Sequence, residues 1–467
     1  MLQFLSITGI SLLLTAVLAL GIRDREKTIL TSFLFVGFFL SYRLCHDGLS
    51  ALFSFVDNHF IPFFVHGLLV AFLLRWVLSL AKTKPMKHLM KFCHNVSYLA
   101  LVLSLGGLGV GLFNIRGMTQ PSFGNLEYQA TSAPSDDKAS CPDIYYLTFD
   151  GYCRQDVLEE SYGYDNSPFL NELKSLGFTI SEKSTCNYPA TYASLPATLN
   201  MQYIKDATIS ANADFYYTHI QDNEVARYLK KAGYTYATVD NGWCGTQMST
   251  EADVHYALPW SHSFLSLFLE GSALSPWMMN HADSVRHSIQ STQKAIALPS
   301  PKFVFSHTLM PHSPYSFKAN GEERDLPNYL LSKQLHDAPD KSEEGRRAYI
   351  EQLKYCNDEI LKMVQNILEN SETAPIIILQ SDHGWAKDKA DFTNEEFCKG
   401  RYPVLNAMLV PEELGQQLDS QFSTVNTFRM LLNHLFKEEL PLLENKLFGP
   451  SFEVKNTYEE LPFKDVY

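Results

Sequence analysis

From Asp143 onward, short apolar or β-branched runs alternate with helical patterns, and this alternation restricts the fold more than any other feature of the chain. Candidate strands lie at 143–149, 234–239, 303–308, 375–380 and 404–410. Candidate helices lie at 167–176, 191–203, 222–232, 344–369 and 425–436. Within 344–369, Ile350, Leu353, Ile360, Val364 and Ile367 recur near helical spacing. Such βα alternation predicts a mostly parallel sheet covered by helices on both faces. The expected class is α/β, with residues 143–467 forming one large domain without internal repeats.

The first quarter of the chain is chemically different. Residues 1–120 hold 10 Lys and Arg against 4 Asp and Glu, a net of +6; the remaining 28 against 47 leave 121–467 at −19, which sums to −13. With 46% hydrophobic and 13% aromatic residues the chain is not a disordered one, and the acidic balance excludes a generally basic nucleic-acid binder. Four stretches, 1–22, 28–45, Asn58–Leu80 and 92–115, are apolar enough to span a bilayer, which takes roughly 20 such residues. The uncharged start Met-Leu-Gln-Phe lacks the positive n-region of a cleaved signal peptide. Loops with Arg23, Arg25 and Lys27, and with Lys82, Lys84, Lys87 and Lys91, would lie inside. The expectation is a membrane domain of four transmembrane helices at 1–116, a linker at 117–142 and an outward-facing domain at 143–467. That would place a multi-pass protein in the inner (plasma) membrane, with the lipid bilayer as a partner and the acidic domain periplasmic or extracellular.

In open α/β sheets, sites form beyond the carboxyl ends of the strands. The first candidate strand runs into Asp150-Gly151, the third into His307 and then Pro311-His312-Ser313-Pro314, and the fourth into Ser381-Asp382-His383-Gly384. Each alone is weak, since an Asp after a strand is often a helix cap. Together they bring two Asp and up to three His to one sheet edge, which is metal-site chemistry.

These segments resemble the sulfatase-like branch of the alkaline phosphatase superfamily. The resemblance runs over roughly 143–436 and rests on Asp143-Ile-Tyr-Tyr-Leu-Thr-Phe-Asp150-Gly151, on Asn166 to Phe178, on Pro189-Ala-Thr191-Tyr-Ala-Ser194-Leu-Pro196 and on Ser381-Asp382-His383-Gly384. Apolar stretches ahead of such a domain further resemble membrane-anchored phosphoethanolamine transferases and lipoteichoic acid synthases. The resemblance implies Asp150, Thr191, Asp382 and His383 as metal ligands, with Thr191 as nucleophile and Ser194 or Cys186 as alternatives. It implies His312 for substrate contact or leaving-group protonation. His307 and Trp385 are candidates for substrate contact, or are simply packed residues. Thr191 could also serve only as a cap for the helix that follows it. The mixed oxygen and nitrogen shell suits Zn²⁺ or Mn²⁺, with Mg²⁺ or Ca²⁺ as further divalent options. The Cys-x-Pro-x-Arg segment of formylglycine sulfatases is absent around Cys186, and no His occurs in 391–398, where the transferases carry another.

The expected function is an integral membrane metalloenzyme that moves a phospho-substituent from a lipid-borne donor to an envelope lipid or glycan acceptor through Thr191. The alternatives are a sulfuric or phosphoric ester hydrolase of the same superfamily and a non-catalytic membrane-bound interaction module. Cys141, Cys153, Cys186, Cys244, Cys356 and Cys398 would allow up to three disulfides on an oxidising face, including one that fixes the loop before Thr191.

Overall fold

The computed structural model describes residues 121–124, 126, 141–207, 213–258, 280–324, 342–385, 395–418, 421–451 and 457–462, with a few scattered positions between 27 and 91. The chain divides into two units, one made of Met1–Met118, His262–Met278 and Pro327–Leu331 and the other of the remainder. The second unit carries the sheet and is the one described below. The linker expected at 117–142 lies mostly outside the described residues.

The sheet has seven strands: β1 (Ile144–Phe149), β2 (Thr179–Ile180), β3 (Thr235–Val239), β4 (Val254–Tyr256), β5 (Lys302–Thr308), β6 (Ile376–Ser381) and β7 (Asn406–Leu409), in the spatial order β2-β7-β6-β1-β5-β3-β4. β1 pairs in parallel with β5 and β6, and β3 in parallel with β4 and β5, while β7 is antiparallel to β6 and β2. The expected mostly parallel sheet is thus present. Every residue of β1, β5 and β6 is buried, as strands covered on both faces require.

Alternation along the strands assigns each residue to a face. Tyr145, Leu147 and Phe149 point to a core shared with α1 (Gln155–Tyr162), α2 (Ser167–Ser175), α6 (His281–Ala295) and α7 (Glu343–Asn370). Ile144 and Tyr146 point to a second core built with α3 (Thr191–Leu199), α4 (Ala213–Gln221), α5 (Glu224–Lys231) and α10 (Thr427–Phe436). Two shorter helices, α8 (Glu395–Arg401) and α9 (Glu412–Gly415), flank β7, and a hairpin of β8 (Phe448–Pro450) with β9 (Tyr458–Glu460) completes the unit. Leu353, Ile360, Val364 and Ile367 of α7 are fully buried, as their spacing predicts.

Two expectations need correction. Among the described residues, no helix is long and apolar enough to cross a membrane. The longest, α7, has 28 residues, but it is amphipathic, with Glu344, Arg346, Arg347, Lys354 and Glu369 among its charges. The four expected transmembrane stretches fall almost wholly outside the described residues. The four-helix anchor, the inner-membrane placement and the bilayer partner therefore have no support among the described residues, which establish the α/β domain. The disulfides are corrected as well. Cys153, Cys186 and Cys356 are buried free thiols, Cys244 is an exposed one, and Cys141 and Cys398 are buried. The Cys186 thiol donates to the Tyr188 carbonyl at 3.3 Å and packs with Phe397, Cys398 and Tyr402, so it bridges nothing before Thr191.

Candidate metal centre and nucleophile

Strand register creates the site. Phe149 at the end of β1 pairs with both Thr308 and Ser381, so Asp150 and Asp382 each stand one residue beyond aligned strand ends. His307 lies opposite Thr148, one step back in β5. The turns are held tightly: the Asp150 N–H donates to Thr308 O at 3.0 Å, and the His312 N–H donates to Asp150 O at 2.9 Å. Ser381 Oγ accepts from the Tyr152 N–H at 2.9 Å and donates to His383 O at 2.8 Å. The two glycines of these turns are dictated by space. Gly151 sits at φ +72°, and a Cβ there would meet Trp385 Nε1 at 2.7 Å; at Gly384 it would meet Gly400 O at 2.6 Å.

The side chains converge. His383 Nε2 lies 3.5 Å from Asp150 Oδ1 and 3.5 Å from Asp382 Oδ2. Thr191, the first residue of α3, places Oγ1 3.2 Å from His383 Nε2. The N-cap of α3 is Ala190 without a side-chain cap bond, so the capping role open to Thr191 is not the one it takes. Ligand atoms of Asp150, His312 and His383 lie within 4.8 Å of one another, as do those of Asp150, His307 and Asp382. His312 stacks on Trp385 with ring centroids 4.6 Å apart.

The electrostatics fit a cation. Asp150, Asp382 and His383 are no more than 5% exposed, and Asp150 Oδ1 and Asp382 Oδ2 are buried without a hydrogen-bond partner. Burial pushes Asp150 up to about 7 against the opposing pull of Arg401. Burial, and then the charge of Asp150, pushes Asp382 up to about 8. Burial likewise lowers His383 well below its usual range, with Arg401 and His312 adding to the shift. Two buried carboxylates with orphaned oxygens, beside an imidazole kept neutral, form an Asp/His cluster able to hold a divalent ion.

These shifts set a pH dependence. At pH 6 the folded, metal-free chain holds protons on Asp150 and Asp382 that the unfolded chain has already lost. Their contribution to metal-free stability therefore falls as pH rises from about 4 through 8. A dication must displace those protons. Calorimetric titration with Zn²⁺ in buffers of different ionisation enthalpy should show proton release at pH 6 and almost none at pH 9.

Three residues that bond the segments around the site are not marked by the sequence. Arg401 Nε donates to Pro189 O at 2.6 Å and Nη1 donates to Gly384 O at 2.9 Å, tying the loop before Thr191 to the one after His383. Gln352 of α7, fully buried, donates to Pro311 O and His312 O at 3.0 and 2.8 Å. Asn241, just past β3, binds His307. Arg401→Ala would leave two loop carbonyls short of a donor. It should lower stability by about 1–3 kcal/mol in denaturant titration, and turnover with it.

A family model described as Sulfatase matches residues 142–404, more than half of the chain. The chain belongs to the sulfatase family. No curated protein sequence matches it. Among solved structures, this sulfatase-family chain is similar to the C-terminal periplasmic domain of EcEptC from Escherichia coli, at 14% identity over 74% of this chain and 99% of that one, with a TM-score of 0.46. It is also similar to the integral membrane lipooligosaccharide phosphoethanolamine transferase A from Neisseria meningitidis, at 12% identity over 81% and 70%, TM-score 0.44. A third is a protein of the alkaline phosphatase superfamily from Vibrio parahaemolyticus, at 12% identity over 64% and 67%, TM-score 0.41. The resemblance read from the motifs is thereby borne out at the level of the family.

The expected membrane-embedded transfer is corrected. Its lipid-borne donor was inferred from an anchor, and no described helix is fit to cross a membrane. What the family match and the Asp/His cluster support is a sulfatase-family catalytic domain with a cluster able to hold a metal.

Proposed function

We propose that the protein is a metal-dependent hydrolase of phosphoric esters in which Thr191 is the nucleophile. The observation that carries this is Thr191 Oγ1 at 3.2 Å from His383 Nε2, beside the orphaned oxygens of Asp150 and Asp382. A Zn²⁺ or Mn²⁺ ion held by Asp150, Asp382, His383 and Thr191 Oγ1 would lower the pKa of the threonine hydroxyl and neutralise charge on the ester oxygens. Thr191 Oγ forms a bond to phosphorus as the alcohol leaves, carrying away the proton that the hydroxyl gives up. The N-terminus of α3 favours the anion formed there.

His312 supplies the second half of the reaction. Its Nδ1–H donates to the Ser313 carbonyl at 2.6 Å, so Nε2 presents a lone pair. Water attacks the phosphothreonine, His312 Nε2 takes its proton, and that proton returns to Thr191 Oγ as phosphate departs. Trp385 holds the His312 ring in place by stacking. A phosphoric rather than sulfuric ester is favoured because Cys186, the only nearby cysteine that could be matched to a formylglycine segment, is fully buried in an apolar cluster.

The test is a substrate panel on the metal-loaded protein with 4-nitrophenyl phosphate, bis(4-nitrophenyl) phosphate and 4-nitrophenyl sulfate. A phosphate ester should turn over with the highest kcat/KM, and chelation should abolish the activity until metal is restored. Turnover of the sulfate alone would move the substrate class, and hydrolysis of none of them under any divalent metal would refute the proposal.

A further inference from the structure

Three histidines face the cluster, and their outer nitrogens are held differently. His383 Nδ1 lies 3.2 Å from Gly384 O and His312 Nδ1 lies 2.6 Å from Ser313 O. A carbonyl only accepts, so both rings carry the proton on Nδ1 and present Nε2 as a lone pair. His307 is the reverse case. Its Nδ1 lies 2.9 Å from Asn241 Nδ2, which also donates to His307 O at 2.7 Å.

The orientation of the Asn241 amide is fixed by backbone groups. Asn241 Oδ1 accepts the Trp243 N–H at 2.9 Å and the Thr246 hydroxyl at 2.6 Å. Flipping the amide would face an NH₂ to the Trp243 N–H and an oxygen to the His307 carbonyl, losing both bonds. The loop itself is anchored by Asp240, which accepts the Gly242 and Leu258 N–H groups at 2.8 and 3.1 Å. Both Asn241 and His307 are fully buried. The Trp243 ring meets the His307 ring edge-on at 5.8 Å.

We propose that Asn241 is a positioning residue that holds His307 as its Nε2–H tautomer, which removes His307 from the metal's ligands and leaves it a hydrogen-bond donor toward an anionic oxygen. Register delivers the pair: Val239 of β3 lies beside Ser306 of β5, so Asn241, two residues past β3, stands beside His307. The His307 N–H lies 3.8 Å from Asp150 Oδ2 and 3.9 Å from Asp382 Oδ2, beyond hydrogen-bond reach, and has no partner. A nitrogen bearing a proton cannot ligate a cation. Of the side chains in the two Asp/His groups at this edge, His307 is therefore closed to metal, while Asp150, Asp382 and His383 stay open to it. That the oxygen belongs to an ester rests on the hydrolase reading; the tautomer does not.

The test uses the full chain labelled with ¹⁵N-histidine, first metal-free and then loaded with ¹¹³Cd²⁺, with His307 assigned by the signal lost in His307→Gln. In the wild type, long-range ¹H–¹⁵N spectra should show His307 Nε2 as the protonated, pyrrole-type nitrogen and Nδ1 as the pyridine-type one. His383 should show the opposite pattern, and cadmium coupling should appear on His383 but not on His307. In Asn241→Asp the carboxylate still accepts the Trp243 N–H but offers Nδ1 an acceptor, so the two His307 signals should exchange character. Should that variant not fold, the wild-type spectra alone decide. A His307 protonated on Nδ1, or cadmium coupling to His307 in the wild type, would overturn the proposal. Absence of ester turnover would leave these spectra unchanged, so the two readings fail separately.

Discussion

Thr191→Ala should lower turnover of a phosphate ester by on the order of 10⁴-fold or more, about 5 kcal/mol of transition-state stabilisation. The threonine occupies the first turn of α3 with its hydroxyl on His383 and not on the helix N-terminus, so its removal deletes no cap. The loop before it is fixed by other groups. Asn187 Nδ2 donates to Ser423 Oγ at 2.6 Å and Lys446 O at 2.7 Å, and Tyr188 stacks on Phe448 at 4.9 Å. The variant should therefore fold normally, with its melting temperature close to that of the wild type, and retain bound metal through Asp150, Asp382 and His383. Steady-state kinetics beside metal analysis checks both halves. Full activity with bound metal would move the nucleophile to another residue such as Ser194, which is 2% exposed within α3.

Asp382→Asn should separate metal binding from folding. The amide keeps the size of the carboxyl and can still accept the Gly151 N–H, seen at 3.3 Å on Oδ1. It removes one of two buried carboxylates that each leave an oxygen without a hydrogen-bond partner. Metal affinity should fall by more than the roughly 10–100-fold typical for loss of an outer partner, because an anionic ligand itself is lost. Metal-free stability should move the other way. At pH 9 the wild-type chain carries two ionised carboxylates in one buried site, and the variant only one. At pH 6 Asp382 is already protonated, since burial and Asp150 push it up to about 8. Melting curves without metal should thus show the variant more stable at pH 9 and matched to the wild type at pH 6. A variant that binds Zn²⁺ as tightly as the wild type would exclude Asp382 as a ligand.

The site was legible where chemistry sits beside a strand end. Asp150 and Asp382 follow long buried strands and His307 lies near the end of another, and parallel register brings such ends together without further information. The limits of α3 were less legible. Its helical pattern extends to residue 203, but the helix stops at Leu199, where Asn200 Nδ2 takes the Pro196 carbonyl at 2.8 Å. The edge strands β2 and β4 have two and three residues, too few to show a period. Helix α6 is hidden in the sequence because its buried face includes Ser288, Ser291 and Thr292, which no hydrophobic pattern marks. The even count of outer cysteines suggested bridges, whereas most of these thiols serve as small buried groups.

Arg401, Gln352 and Asn241 are illegible in the sequence for one shared reason. Each bonds backbone carbonyls of a segment distant in sequence, and those partners exist only once the sheet has formed. A polar pair such as Asp240-Asn241 directly after the strand candidate 234–239 carried the same signal as the other strand ends. It lacked only a second element to converge with.

The central claim is that Thr191 becomes covalently phosphorylated during turnover. The metal-loaded protein should be mixed with excess 4-nitrophenyl phosphate, quenched in acid within the first turnovers and mapped by peptide mass spectrometry. The account predicts one phosphoryl group on the peptide containing Thr191, localised to that residue and absent from Thr191→Ala. Steady turnover with no adduct, or an adduct on Ser194 or any other side chain, would contradict it.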